Sequence, residues 1–347
     1  MNINSTLLNK VTPYLSEYSC LEHEIKHFLT SQMSFLDRQE EAIRIISAIL
    51  AAHGKEELLG CLVDLAIVET KIRELEPWVR DHVVHALLTF ILGIYINEEF
   101  LKKMDNSAVN NFQWKLSGLL HDIGYPIEIA KNVMKPFSNT LNKLRKRFGA
   151  SRLVTFPIMP LQLERLTNGN SSLHLIQKQL ESWEISIDAT REYSKMRRAD
   201  KVCHGIISSL AVLNVIDAMY QYFNPGREYD TIYARRSNIN WNQKYFVEDI
   251  IPACSAIFVH SLPSNAFAKA KIKCSKAPLP FLLKLCDCLQ DWERPSFERQ
   301  TGLPAYLYDI QIQDGDILFY ADIPKEDKVK LEQSIYSCLD TKSVQII

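Results

Sequence analysis

Apolar side chains recur every three or four residues through most of the first 300 positions, and glycine is scarce, with 11 residues in a chain of 347. This period is typical of amphipathic helices that bury one face. The most apolar helix is predicted over 76–96, at the centre of the protein. Asp37 and Gly54 are the predicted caps of an earlier helix. Further helices are predicted over 55–77, 110–124, 200–223, 245–262 and 278–295, so the chain should be mainly α-helical.

The pattern changes near the C-terminus. The segment YLYDIQIQDGDILFYADIP (306–324) alternates apolar and polar residues on both sides of Asp314-Gly315, which predicts a β-hairpin. The next segment, KEDKVKLEQSIYSCLD (325–340), has a helical period. Three parts are thus expected: an N-terminal helical region (1–75), a helical domain (76–300) with a less regular insertion at about 127–200, and a small α+β piece (301–347).

Composition and charge narrow the class of protein. With 47% hydrophobic and 23% charged residues, the chain can bury a sizeable core. The 40 basic and 41 acidic side chains nearly cancel, so duplex nucleic acid and anionic membranes are not expected partners. The N-terminus lacks the pattern of a secretory signal, and the longest apolar run, 82–96, is shorter than the roughly 20 residues that span a bilayer. We expect a cytoplasmic protein.

Six ionisable side chains lie within or at the ends of the apolar helices: His85, His121, Asp122, His204, His260 and Asp287. A buried, unpaired carboxylate costs several kcal/mol, so both aspartates require a cation or a hydrogen-bond network. Imidazole and carboxylate ligands suit divalent Mn, Fe, Co or Ni. No cysteine joins the set and no C-x-x-C pair occurs, so a structural zinc site is not expected. Six ligands suit two ions that a carboxylate and a solvent molecule bridge.

The order His, His-Asp, His, His, Asp resembles that of the HD-domain superfamily of metal-dependent phosphohydrolases, in its two-metal form. The resemblance covers about 75–300 and rests on RDHVVHALLTFILG, WKLSGLLHDIGYP, CHGIISSL, AIFVHSLP and LLKLCDCLQDWERP. It implies a helical bundle in which His85, His121 and Asp287 hold one metal and His204 and His260 hold the second. It further implies that Asp122 bridges the two ions, which makes His121 and Asp122 the expected catalytic pair.

The resemblance also implies an activity. Members of this superfamily hydrolyse phosphoesters, so the expected substrate is a small phosphorylated molecule, a nucleotide or a cyclic nucleotide. The chain lacks the glycine-rich phosphate loop of an ATP-dependent transferase. Two alternatives stay open: a mixed-valent diiron oxygenase of the same fold that acts on polyols or phosphonates, and a regulatory module in which the metal is structural. The native metal and the oligomeric state are left open as well.

Other polar residues flank these motifs. Arg80, His82, Lys115, Lys201 and Arg294 are candidate substrate contacts, since a phosphate would require cations or hydrogen-bond donors. His82 competes with His85 as the first metal ligand, and His85 is preferred because HALLTFILG better matches the first motif of the superfamily.

Two further aspartates lie close in sequence to predicted ligands, and each has two possible roles. Asp200 either orients His204 or caps its helix, and Asp291 either supports Asp287 or is a surface charge. Gly124 and Pro126 are predicted to end the helix that carries His121 and Asp122.

Overall fold

Helices make up most of the computed structural model, which describes residues 3–18, 21–53, 58–73, 81–104, 108–131, 163–166, 169–199, 201–222, 243–290, 292 and 307–347. The helices of the N-terminal part are α1 (Ile3–Val11), α2 (Leu15–Tyr18), α3 (Glu22–Thr30), α4 (Phe35–Ala51) and α5 (Leu59–Arg73). They are followed by α6 (His82–Glu99), α7 (Asn111–Leu120), α8 (125–131), α9 (Ser172–Ser182), α10 (Ala189–Arg198), α11 (His204–Tyr222), α12 (Ile251–His260), α13 (Pro278–Leu289) and α14 (Lys325–Tyr336). A π-helical turn, Phe246–Ile250, leads directly into α12.

Helix α6 lies at the centre of the protein. Every residue from His82 to Glu98 is buried, and the carboxylate of Asp81 caps the helix by accepting from the N–H groups of Val83 and Val84. By length and composition the segment His82–Lys103 could cross a membrane, but 94% of its most apolar window is buried inside the protein. This segment therefore has the burial of a core helix, and α6 is apolar all round because other helices cover it.

The other core helices surround α6. Helices α7 and α13 pack against it, and α12 packs against α7, α11, α13 and α9. On another part of its surface α6 contacts α1, α4 and α5 from the N-terminal region. The mainly α-helical fold predicted from the sequence is confirmed.

The C-terminal piece is small and mixed, as predicted. Strands β2 (Leu307–Gln313) and β3 (Asp316–Ala321) form the expected antiparallel hairpin, with Asp314 and Gly315 in the left-handed region at φ 51° and 83°. Helix α14 follows and packs against α13. Sequence patterns did not identify β5 (Val344–Ile346), parallel to β3, or β4 (Leu339–Asp340), parallel to β1 (Ile272–Lys273). The β1–β4 pair joins this piece to the helical part.

Several predicted boundaries were wrong. The N-cap of α4 is Ser34, whose hydroxyl accepts from the N–H of Asp37, so Asp37 lies inside the first turn. Helix α11 begins at His204 rather than at residue 200. Helices α9 and α10 lie in the segment that the sequence analysis treated as a less regular insertion.

The helix that carries the His-Asp pair also ends differently from the prediction. Helix α7 stops at Leu120, and one turn later α8 begins at residue 125, so Gly124 and Pro126 do not end it. Pro126 instead occupies the first turn of α8, where a missing N–H costs little.

The contact between α6 and α7 is tight at Gly93. The Trp114 indole of α7 lies against this glycine and donates to the carbonyl of Phe90 at 3.0 Å. A Cβ atom at position 93 would overlap the indole ring. We therefore expect Gly93→Ala to destabilise the protein by about 1–3 kcal/mol through overpacking, measured as a lower urea midpoint.

A matched control is Gly60→Ala in α5, because a Cβ at Gly60 would meet no atom of the described residues within 4 Å. Alanine favours the helix there, so the midpoint should stay the same or rise. An unchanged midpoint for Gly93→Ala would contradict the packing described here.

Candidate metal centre

The ends of five helices bring together four imidazoles and two carboxylates. His85 lies in the first turn of α6, His121 and Asp122 directly follow α7, His204 begins α11, His260 ends α12, and Asp287 lies in the last turn of α13. The structure thus brings together all six side chains that were predicted from the sequence as metal ligands. Four of them are almost completely buried, whereas His204 and Asp287 keep side-chain exposures of 22% and 21%. The cluster is therefore open to solvent on the side of these two residues.

Asp122 lies between two pairs of imidazoles. Its Oδ2 atom is 3.7 Å from Nε2 of His85 and 3.4 Å from Nε2 of His121. Its Oδ1 atom is 3.4 Å from Nε2 of His204 and 3.5 Å from Nε2 of His260. Each carboxylate oxygen therefore faces a different pair of ring nitrogens.

Two groups within the cluster have the spacing of metal ligands. One is His85, His121 and Asp287, and the other is His121, Asp122 and His260; within each group the ligand atoms lie within 4.8 Å of one another. Asp287 joins the first group through Oδ1, which is 3.2 Å from Nε2 of His85 and 3.9 Å from Nε2 of His121. These buried histidines and aspartates could hold metal ions.

Backbone carbonyls orient two of the imidazoles. Nδ1 of His121 donates to the carbonyl of Gly118 at 3.0 Å, and Nδ1 of His260 donates to the carbonyl of Ile257 at 2.6 Å. Because a carbonyl can only accept, Nδ1 carries a proton in both rings, and in the neutral ring Nε2 has the lone pair. The lone pairs of both residues therefore face the cluster.

Side chains orient the other two imidazoles. Glu128 in α8 accepts from Nδ1 and from the backbone N–H of His204, both at 2.8 Å. Gln290 accepts from Nδ1 of His85 through its Oε1 atom. Metal-binding histidines commonly have such partners on the second ring nitrogen. Neither partner was predicted from the sequence, and the residues predicted for supporting roles, Asp200 and Asp291, lie outside the described residues.

The pKa values indicate charged carboxylates. Burial raises the pKa of Asp122, but the imidazoles of His121, His260 and His204 together outweigh this effect and hold it well below its usual range. Burial likewise raises the pKa of Asp287, and the hydrogen bond with His85 and the nearby imidazoles outweigh it. Both groups are therefore anionic near neutral pH.

The pKa values of His121 and His204 shift in opposite directions. Burial lowers the pKa of His121, which favours the neutral ring that a metal requires. Burial also lowers the pKa of His204, but the hydrogen bond with Glu128 and the charge of Asp122 outweigh it and raise the pKa above its ordinary value.

The donor set fits a bound cation. Among the residues that the structure describes, Oδ1 of Asp122 and Nε2 of His260 are buried and have no hydrogen-bond partner. A buried carboxylate oxygen and a lone pair without a donor are costly unless a positive centre satisfies them. Mn²⁺, Fe²⁺, Co²⁺ or Ni²⁺ would satisfy both atoms.

The candidate substrate contacts differ in their surroundings. His82 is buried, its Nδ1 contacts Glu69, and its ring stacks on Tyr125 with centroids 3.5 Å apart. Lys115 is buried, with Nζ 2.9 Å from Nε2 of His53. Lys201 is exposed, three residues before His204. Arg80 and Arg294 lie outside the described residues, and the role of all five in binding substrate stays a prediction.

Gly124 allows α11 to approach the turn that carries the His-Asp pair. A Cβ atom at this position would lie 2.7 Å from the carbonyl oxygen of His204 and 2.7 Å from the nitrogen of Ser208. The N–H of Gly124 donates to the hydroxyl of Ser208 at 2.8 Å. Glycine is thus required for the close packing that sets His204 beside Asp122.

Comparison with known proteins finds no matching family model, no matching curated protein and no matching solved structure. Fold and site together define a mainly α-helical protein whose buried His/Asp cluster is consistent with an HD-type site and could hold metal ions.

We expect Glu128→Ala to lower the pKa of His204 in the metal-free protein, because the carboxylate stabilises the protonated ring. The change can be measured by NMR titration of the imidazole signals. Glu164→Ala is the control, since the carboxylate of Glu164 pairs with Arg197 instead. The same His204 pKa in wild type and Glu128→Ala would rule out the assigned contact.

Proposed function

We propose that the protein is an HD-type metal-dependent phosphohydrolase with a binuclear His/Asp centre. The observation that carries this proposal is the position of Asp122, whose two oxygens face two different pairs of imidazole nitrogens at 3.4–3.7 Å. A carboxylate in this arrangement suits the role of a bridge between two cations.

Each member of the cluster has a role in this proposal. His85, His121 and Asp287 would hold one ion, and His204 and His260 would hold the second. Asp122 would contribute one oxygen to each. The Nδ1 partners described above keep the four Nε2 atoms directed at the cluster, so the site is largely organised before any ion binds.

The chemistry follows from the donor set. Two divalent ions held by these residues would lower the pKa of a bound water and would neutralise charge on a phosphoryl group. The buried residues His85, His121 and His260 exclude bulk solvent from one side, whereas the partly exposed His204 and Asp287 leave the other side accessible. A phosphoester would therefore approach past His204, where the exposed Lys201 could attract its negative charge. A nucleotide or cyclic nucleotide is the proposed substrate class, and its support is the resemblance to the HD superfamily.

Metal content provides the first test. We expect about two transition-metal ions per chain by elemental analysis after reconstitution with Mn²⁺ or Fe²⁺, and loss of both in Asp122→Ala because the bridge contributes to both sites. His204→Ala should keep about one ion. His174→Ala, at an exposed position in α9, should keep both. Full metal content in folded Asp122→Ala would exclude the bridging role.

Turnover provides the second test. We expect the Mn²⁺-loaded protein to hydrolyse at least one member of a panel of nucleotides, cyclic dinucleotides and generic phosphodiesters, and we expect Asp122→Ala to lose that activity. The diiron oxygenase alternative uses the same ligand types, so oxygen uptake must be measured in parallel with Fe²⁺. Oxygen consumption without phosphoester hydrolysis would favour the oxygenase, and a metal-loaded protein without either activity would favour the regulatory module.

A further inference from the structure

A chain of buried hydrogen bonds joins the cluster to the N-terminal helix. Nδ1 of His85 donates to Oε1 of Gln290, whose Nε2 donates to the carbonyl of Trp292 at 2.8 Å. The indole Nε1 of Trp292 donates to Oδ1 of Asn4 in α1 at 2.9 Å. None of the four residues is more than 6% exposed. We call these residues, His85, Gln290, Trp292 and Asn4, the His85–Asn4 relay.

The relay requires a proton on Nδ1 of His85. The carbonyl of Trp292 can only accept, so the amide of Gln290 must turn its NH₂ group toward it. Oε1 is then the atom that faces His85, and an amide oxygen can only accept. A flipped amide would place its oxygen against the carbonyl oxygen of Trp292. His85 therefore donates from Nδ1, and its Nε2 faces the cluster, 3.2 Å from Oδ1 of Asp287 and 3.1 Å from Nε2 of His121.

His85 differs from His121 and His260 in the partner that orients its ring. His121 and His260 donate to carbonyls three residues earlier in the chain, so the orientation of each ring depends on its own helix. The orientation of His85 depends instead on a side chain 205 residues away, at the end of α13. Its geometry is consequently coupled to the packing of α1 against the segment after α13.

We propose that Gln290 is a positioning residue that sets the tautomer of His85, and that α1 holds Gln290 in place through Asn4 and Trp292. The inference rests on the proposed metal centre for its effect on metal binding, but the tautomer itself does not depend on a bound ion. On this proposal the N-terminal helix is a structural part of the site.

The direct test is the tautomer of His85 in metal-free protein, observed through the ¹⁵N shifts of its ring nitrogens. We expect protonated Nδ1 in the wild type and a mixture of tautomers in Gln290→Leu. Gln290→Glu should keep protonated Nδ1, because a carboxylate still accepts from it. Unprotonated Nδ1 in the wild type would overturn the proposal without any need for a variant.

The second test is Mn²⁺ affinity, measured by competition with a chelator. Gln290→Leu should weaken binding about 10- to 100-fold, as loss of such a partner does at other metal sites, and Gln290→Glu should recover most of the loss. Trp292→Phe and Asn4→Ala should each weaken binding several-fold. Unchanged affinity in Gln290→Leu and in Trp292→Phe would overturn the positioning role.

The buried side-chain amide of Asn97, in α6, is the matched control. Asn97 donates to the hydroxyl of Tyr18 at 2.7 Å and to the carbonyl of Val109 at 3.0 Å, and it takes no part in the relay. Asn97→Leu should lower the urea midpoint and leave both the His85 tautomer and the Mn²⁺ affinity unchanged. If the wild type binds no metal but has protonated Nδ1 at His85, the proposed function fails and the tautomer assignment stands.

Discussion

A buried negative charge sets the requirements for the rest of this protein. Asp122 is 4% exposed, and removing an unpaired carboxylate from water would cost several kcal/mol. Cations held by the four imidazole nitrogens that lie within 3.7 Å of its oxygens would offset that cost, and those nitrogens come from four different helices or helix ends. Those helices must therefore pack closely enough to bring each imidazole against the carboxylate of Asp122. The tight contacts at Gly93 and Gly124 are consistent with this constraint, since a Cβ atom at either position would meet a neighbouring helix.

The precision of the cluster comes mainly from helix geometry. His121 and His260 both lie at the C-terminal end of a helix, and each donates to the carbonyl three residues earlier. Carbonyls in the last turn of a helix have no intrahelical partner, so these rings satisfy acceptors that would otherwise require water. Each of these hydrogen bonds thus satisfies a carbonyl at the end of a helix and also orients a candidate metal ligand. Sites built on rigid elements in this way hold their geometry better than sites built on loops.

The features predicted from the sequence are those with a local signal. Helix α6 has a long apolar run, and the hairpin has an Asp-Gly turn between alternating strands, so both could be recognised within about 20 residues of sequence. Glu128, Gln290 and Glu69 had no such signal. They lie 76, 205 and 13 residues from the histidines they contact, and only tertiary packing brings them there. Helix α9 was missed although Leu173, Ile176 and Leu180 have helical spacing, because the sequence around it lacks a regular period.

The burial of α6 on every side has a consequence for synthesis of the chain. Its partner α13 is encoded far downstream, and at about 5–20 residues per second the roughly 180 intervening residues take on the order of 10–40 s to translate. During that interval the most apolar helix of the protein lacks part of its cover and is exposed to aggregation. Helices α1, α4 and α5 precede α6 and contact it in the folded protein, so they are available as soon as it leaves the ribosome. The N-terminal helices can therefore cover part of α6 before the helix that packs on its other side has been synthesised.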